Sequence, residues 1–305
     1  MKINPLVSIV IPVYNGSNFL SQAIEAALSQ TYKNIEILVV NDGSKDDGAT
    51  EKVALSYGDR IKYLSKPNGG VSSALNYGIE HMSGDYFSWL SHDDLYEPEK
   101  IEKEVVALAS QENPNNTIIC CADSLIDVDG KPIYHPTKQL IGLYPGSRLF
   151  DIFFSQHLII NGCTLLIPRD AFKRFGGFSS FKYIQDTECW IKFMLGDMNF
   201  FFIKDKLVKM RVHAGQVTQR MPGLFYTEMR QFSNDIIDNY LINGKLSHSN
   251  IKAFLIYHYK KHNKDIYTKI EKCVGNILPI KKYMYQLYGY GFSILGYIYS
   301  KTIKR

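Results

Sequence analysis

The sequence predicts an α/β protein: a mixed sheet flanked by helices, followed by a helical C-terminal extension. Three observations predict it. Through the first hundred or so residues, short β-branched apolar runs alternate with stretches of helical period, the order of a right-handed βαβ sheet. Four of those runs stop on polar turn residues, at Asn15, Asp42, Asn68 and the pair Asp93-Asp94. From about Leu224 onward the pattern is helical and rich in Tyr, Phe, Ile and Lys.

Val7 to Val13 reads as a central parallel strand closed by Tyr14-Asn15-Gly16. Phe19, Leu20, Ala23, Ile24, Ala27 and Leu28 follow at helical spacing, started by Ser17 or Asn18. Ile35 to Val40 is a second buried strand, ending on Asn41-Asp42-Gly43-Ser44, and Ile61 to Leu64 is a third. The Lys66 to Gly70 stretch turns into a helix from about Val71 to Met82, and Tyr86 to Leu90 is the strand that runs out to Asp93-Asp94. Parallel strands place all four ends on one edge, where open α/β sheets bind ligands. Each end alone is ordinary turn chemistry, and Asp94 and Glu97 before Pro98 also suit a helix start. Together on one rim they argue for a site.

The second half is less regular. A helix from about Pro98 to Ser110 leads to a strand at Ile118 to Ala122, and Val128-Asp129-Gly130-Lys131 reads as a hairpin turn. Leu149 to Phe154 is helical, Cys163 to Ile167 a strand, and a short helix ends at Phe175-Gly176-Gly177-Phe178. Thr187 to Leu195 is helical with Asp186 at its first turn. Capping explains an Asp there; a general base is the other reading, with helix-end stabilisation of the anion opposed by burial against Tyr183 and Trp190. Phe200 to Ile203 and Leu207 to Val212 read as a hairpin that leads to Arg211-Val212-His213. His213 is either a satisfied structural residue or a contact to a ligand. The expected boundaries are 1–215 for the α/β domain, halved at 112, and 216–305 for the helical region.

Composition bounds the rest. With 45% hydrophobic and 21% charged residues among 305, the chain is a folded globular protein. A net charge of +5 is too mild to argue for nucleic acid. Five cysteines without a CxxC spacing argue against a zinc site or a disulfide framework and fit a reducing cytosol. No stretch has the length and apolarity of a spanning helix. Lys281 to Arg305 sets tyrosines between basic ends, which suits either docking on an anionic membrane surface or a helix packed on its own domain or on a homodimer partner.

These pieces resemble the family 2 glycosyltransferases, inverting enzymes with the Rossmann-like GT-A fold. They are Val7 to Gly16, Asn41 to Ser44, Asn68-Gly69-Gly70 with Ala74 to Gly78, Trp89 to Asp94 with Pro98, Gly176-Gly177-Phe178, Asp186 with Trp190, and Arg211-Val212-His213. The resemblance implies a nucleotide-sugar donor, UDP by default, in a pocket lined by Pro12, Tyr14, Asn15, Asp42, Asn68 and Gly69. It implies Mn²⁺ or Mg²⁺ on Asp93, with Asp94 touching the donor sugar. Asp186 stands at the catalytic base, and Arg211 and His213 are candidate contacts to the diphosphate or metal. The implied activity is hexosyl or N-acetylhexosaminyl transfer to a glycan or lipid-linked glycan in cell-surface polysaccharide synthesis, at the cytoplasmic face of the plasma membrane. Three positions depart from the pattern: Ser91 replaces the first aspartate of the metal motif, Leu75 an arginine, and Gln185 a glutamate. Ser91 and Leu75 keep open a non-catalytic binding or scaffold subunit. A nicotinamide-dependent oxidoreductase is disfavoured, because no G-x-G-x-x-G follows the first strand. A glycoside hydrolase would need two facing carboxylates.

Overall fold

The computed structural model describes residues 4–134, 139–156, 158–216, 221 and 223–274. The chain divides into two compact units, one running to Phe232 and the other beginning at Ser233.

The first unit is a βαβ succession. β1 (Val7–Val13) is buried at every residue, as its β-branched run requires, and α1 (Leu20–Leu28) buries Leu20, Ala23, Ile24 and Ala27. β2 (Ile35–Asn41), α2 (Ala49–Leu55), β3 (Lys62–Ser65), α3 (Val71–His81) and β4 (Tyr86–Trp89) follow. The close seat of α3 on the sheet depends on Gly78, where a Cβ would stand 2.5 Å from a Val10 methyl. β5 (Leu95–Tyr96), α4 (Lys100–Ala109), β6 (Thr117–Ile126), β7 (Pro132–Ile133), β8 (Gly142–Pro145) and α5 (Gly146–Gln156) come next. β9 (Leu165–Pro168), α6 (Arg169–Phe175), α7 (Gln185–Leu195) and β10 (Asn199–Arg211) complete the sheet and its helices.

The strands lie in the order β3-β2-β1-β4-β9-β6-β10-β5. β3, β2, β1 and β4 are parallel, so Asn15, Asp42, Asn68 and Asp93 do emerge on one edge. β9 runs antiparallel to both β4 and β6, and β10 runs parallel to β6. Two reversals restore the direction of β4. The carboxyl end of β10, with Arg211 and then His213, therefore leaves the sheet on that same edge.

The expected hairpin between Phe200 and Val212 is not formed, because this stretch is one strand. Asn199 to Phe202 pair with Thr117 to Cys120, and Lys206 to Arg211 pair with Ala122 to Ile126. Register shifts on either side of Lys206 absorb the extra residues. Lys204-Asp205-Lys206 has turn-like polarity, but a continuous partner in β6 keeps the chain straight.

Aromatic rings tie the sheet to the helices behind the site. Phe178 meets Trp89 and Trp190 edge-on, each at 5.8 Å between centroids, and Phe87 meets Phe172 at 5.1 Å. Beneath β4, Lys100 and Glu104 form a fully buried ion pair at 2.8 Å. Lys100 also reaches Ser88 Oγ at 3.1 Å and stands over the Tyr96 ring.

Beyond the sheet come α8 (Leu224–Ile236), continued by a π-helical turn at Ile237–Leu241, then α9 (His248–Lys260) and α10 (Lys264–Val274). α9 opens with a capping box of Ser247 and Asn250. Among the described residues, no helix is long and apolar enough to cross a membrane. The tail from Lys281 to Arg305, on which the membrane and dimer expectations fall, lies outside the described residues.

Candidate active site

The site assembles from strand ends, because the side chain after the last ladder bond of each parallel strand is free to face the rim. At the ends of β1 and β2, Pro12 is buried in β1, while Tyr14 is 43% exposed just beyond it. Asn15 takes a positive φ of 50°, and its Oδ1 accepts the Lys45 N–H at 2.7 Å. Its own N–H donates to Ser44 Oγ, so the β1 and β2 ends are tied together.

Asp42 is 2% exposed. Its carboxylate accepts from Lys66 Nζ at 2.7 Å, Gly70 N at 2.7 Å, Gly69 N at 3.0 Å and Asn68 Nδ2 at 3.2 Å. In this arrangement Asp42 shapes the Asn68-Gly69-Gly70 loop, whose own residues stay exposed at the rim. A cleft of about 320 Å³ runs from Lys66 and Gly69 along Ser72, Ser73 and Asn76 to Phe178 and Ser179.

At the end of β4, Asp93 Oδ2 and His213 Nε2 are 2.8 Å apart, joining two residues 120 positions distant in sequence. Both are largely buried, at 12% and 19% side-chain exposure. The His92 ring lies over Gly16 and faces Asp93 Oδ1 at 4.0 Å, and burial lowers its pKa. Asp94 turns inward: its Oδ1 accepts the Arg211 N–H at 2.8 Å and its Oδ2 faces the Cys163 thiol at 3.5 Å. Burial and the nearby Asp93 raise its pKa well above the usual carboxylate range. Ser91 contacts the same thiol, at 3.3 Å from its Oγ.

Arg211 is 2% exposed. Its guanidinium donates to the carbonyls of Asp93, Asp127 and Val128 and to Gln22 Oε1, and it stacks over Phe19 at 4.5 Å. It holds the β4 end, the β6 end and α1 together. Nothing in the sequence marks it as buried, and Gln22 and Cys163 carry no signal that names them as its neighbours or those of Asp94.

Asp186 is the second residue of α7, half-buried, with Oδ1 accepting the Thr187 N–H at 2.6 Å. Burial outweighs the backbone donors and raises its pKa to about 6. The turn before it is held from α8, where Glu228 accepts the N–H groups of Lys182, Tyr183 and Ile184. The aromatic cluster links the helix of Asp186 to β4 through Trp190, Phe178 and Trp89. Trp89 Nε1, Ser179 Oγ, Gln185 Oε1 and Trp190 Nε1 are buried without a hydrogen-bond partner among the described residues.

A mixed sheet flanked by helices, its parallel half extended through antiparallel β9 to β6 and β10, is the GT-A fold. The chain belongs to glycosyl transferase family 2, whose model matches residues 8–176. An uncharacterized glycosyltransferase of Rickettsia typhi is 51% identical over 219 residues, covering 70% of this chain and 66% of that protein. The chain thus spans slightly less than two thirds of that relative. Among solved structures, Staphylococcus aureus TarS 1-349 in complex with UDP-GlcNAc matches with a TM-score of 0.64 at 16% identity, covering 83% of this chain and 72% of that one. The mannosyltransferase PcManGT of Pyrobaculum calidifontis, in complex with GDP-Man and Mn²⁺, matches with a TM-score of 0.60 at 16% identity, covering 96% and 81%. At these identities the two structures establish the fold.

Proposed function

We propose that this chain is a metal-dependent, inverting glycosyltransferase that moves a hexosyl or N-acetylhexosaminyl group from a nucleoside-diphosphate donor, a UDP-sugar, to a hydroxyl of a glycan or lipid-linked glycan. The observation that carries the reading is the meeting of Asp93 and His213 at the rim where the nucleotide-side strands also end. Asp93 and His213 would hold Mn²⁺ or Mg²⁺. One carboxylate oxygen donor and one imidazole nitrogen donor stand together at the rim, a donor set suited to such an ion. No group of three or more His, Cys, Asp or Glu is gathered for a metal among the described residues, so diphosphate oxygens and water would complete the shell. The imidazole favours Mn²⁺ over Mg²⁺. When bound, the ion supplies positive charge for the leaving diphosphate.

The chain's own residues do the rest. Tyr14 offers an exposed ring for the base, and Asn15 with the Asn68-Gly69 loop borders the nucleotide. Asp42 acts by holding that loop, and Arg211 by holding the Asp93 backbone, in the geometry described. Asp94, turned inward onto the Arg211 N–H, fixes the loop after β4, and that loop would border the donor sugar. Asp186, ionised above about pH 6, removes the proton of the attacking hydroxyl on the face opposite the leaving group. All five cysteines are free, which supports a reducing, cytoplasmic setting. Incubation with UDP-sugars and Mn²⁺ tests the proposal: UDP release should fall at least about 100-fold in Asp93→Ala and in Asp186→Asn. Wild-type rates in both would refute it.

A further inference from the structure

The turn that carries Asp186 is held from outside its own helix. Glu228 is 7% exposed, and its two carboxylate oxygens accept the N–H groups of Lys182 at 2.9 Å, Tyr183 at 2.9 Å and Ile184 at 3.1 Å. The same face of α8 sets Phe225 against Tyr183 at 5.7 Å between centroids and Phe232 against Phe181 at 6.2 Å. Positions 225, 228 and 232 are spaced i, i+3, i+7, so one helical stripe docks on four successive residues, Phe181 to Ile184. A carboxylate inside an aromatic stripe is costly to bury, and three converging N–H donors offset that cost. α7 has no side-chain cap of its own, since Ile184 stands at the N-cap position. Glu228 also places negative charge at the positive end of that helix.

We propose that Glu228 is the positioning residue of the candidate base: by fixing the Lys182–Ile184 turn it sets the direction and reach of Asp186 toward the acceptor hydroxyl. This rests on the reading of Asp186 as the base. Glu228 touches neither substrate; it acts through the turn. A displacement of about 1 Å at a reacting group can cost about 100-fold in rate, so loosening the turn should be felt in turnover.

The test is steady-state UDP release by the full chain with the UDP-sugar that the wild type turns over, alongside titration of UDP with Mn²⁺. The variants are Glu228→Ala, Glu228→Gln, Asp186→Asn and the Glu228→Ala, Asp186→Asn double. Expected is a kcat at least about tenfold lower in Glu228→Ala, with donor KM and UDP affinity within about twofold of wild type. Glu228→Gln keeps one acceptor oxygen and should recover part of the loss. In the Asp186→Asn background, Glu228→Ala should add little, because both changes act through one group. Unchanged kcat in Glu228→Ala, a parallel loss of UDP affinity, or a full additive loss in the double variant would overturn the inference and leave the base assignment standing. Wild-type kcat in Asp186→Asn would instead remove the base assignment, and this inference with it.

Discussion

Asp186 carries the sharpest conflict between stability and chemistry. Burial raises its pKa from 3.8 to about 6. The folded state thus holds this proton more tightly than the unfolded chain does between those values. Stability falls as pH rises through that window and stays lower at neutral pH. Asp186→Asn should therefore stabilise the fold at pH 7 by on the order of 1 to 3 kcal/mol while lowering transfer at least about 100-fold. Thermal melts at pH 7 and pH 4 check it, since the difference should vanish at pH 4. On the kinetic side, kcat/KM should fall tenfold per pH unit below about 6, and a flat profile down to pH 5 would contradict the assignment. The sequence named Asp186 and its two opposing influences, but the balance depended on packing that only the fold supplies. Arg211 shows the same limit. Its position was legible from the motif, yet its burial among three carbonyls and Gln22 was not, because those partners lie up to 189 positions away.

At the scale of elements, the strands and helices that position the site were legible wherever one period dominated. β1, β2 and α3 fall within a residue or so of their expected ends. β10 was misread because Lys204-Asp205-Lys206 imitates a turn, and pairing to β6 overrides local polarity. Glu228 was missed although its signal exists: an acidic residue between Phe225 and Phe232 on one helical stripe asks for a buried partner. α4 carries a second buried charge. Lys100 and Glu104 are both fully buried, and Lys100 touches Ser88 of β4. Lys100→Met leaves Glu104 without its cation and should cost about 3 to 5 kcal/mol, read by urea unfolding. Lys100→Met with Glu104→Leu should cost far less. Equal losses in the single and the double variant would show that packing volume, not charge, holds this helix against the sheet.

At the scale of the whole molecule, the topology does what no local pattern could announce. Four parallel strands bring Asn15, Asp42, Asn68 and Asp93 to one rim, and two reversals through β9 and β6 bring His213 to the same rim from the far side of the sheet. The first part of that convergence followed from strand order. The second depended on β10 being a single strand parallel to β6. Charge is partitioned as well: residues 1–232 hold 23 Lys and Arg against 26 Asp and Glu, and residues 233–305 hold 12 against 4. The basic excess thus lies outside the catalytic frame. The measurement that tests the central claim most directly is calorimetric titration of the full chain with UDP, with Mn²⁺ and with EDTA, in wild type and in Asp93→Ala. The account predicts UDP binding that requires Mn²⁺ and is lost in Asp93→Ala; binding that survives both EDTA and the substitution would contradict it.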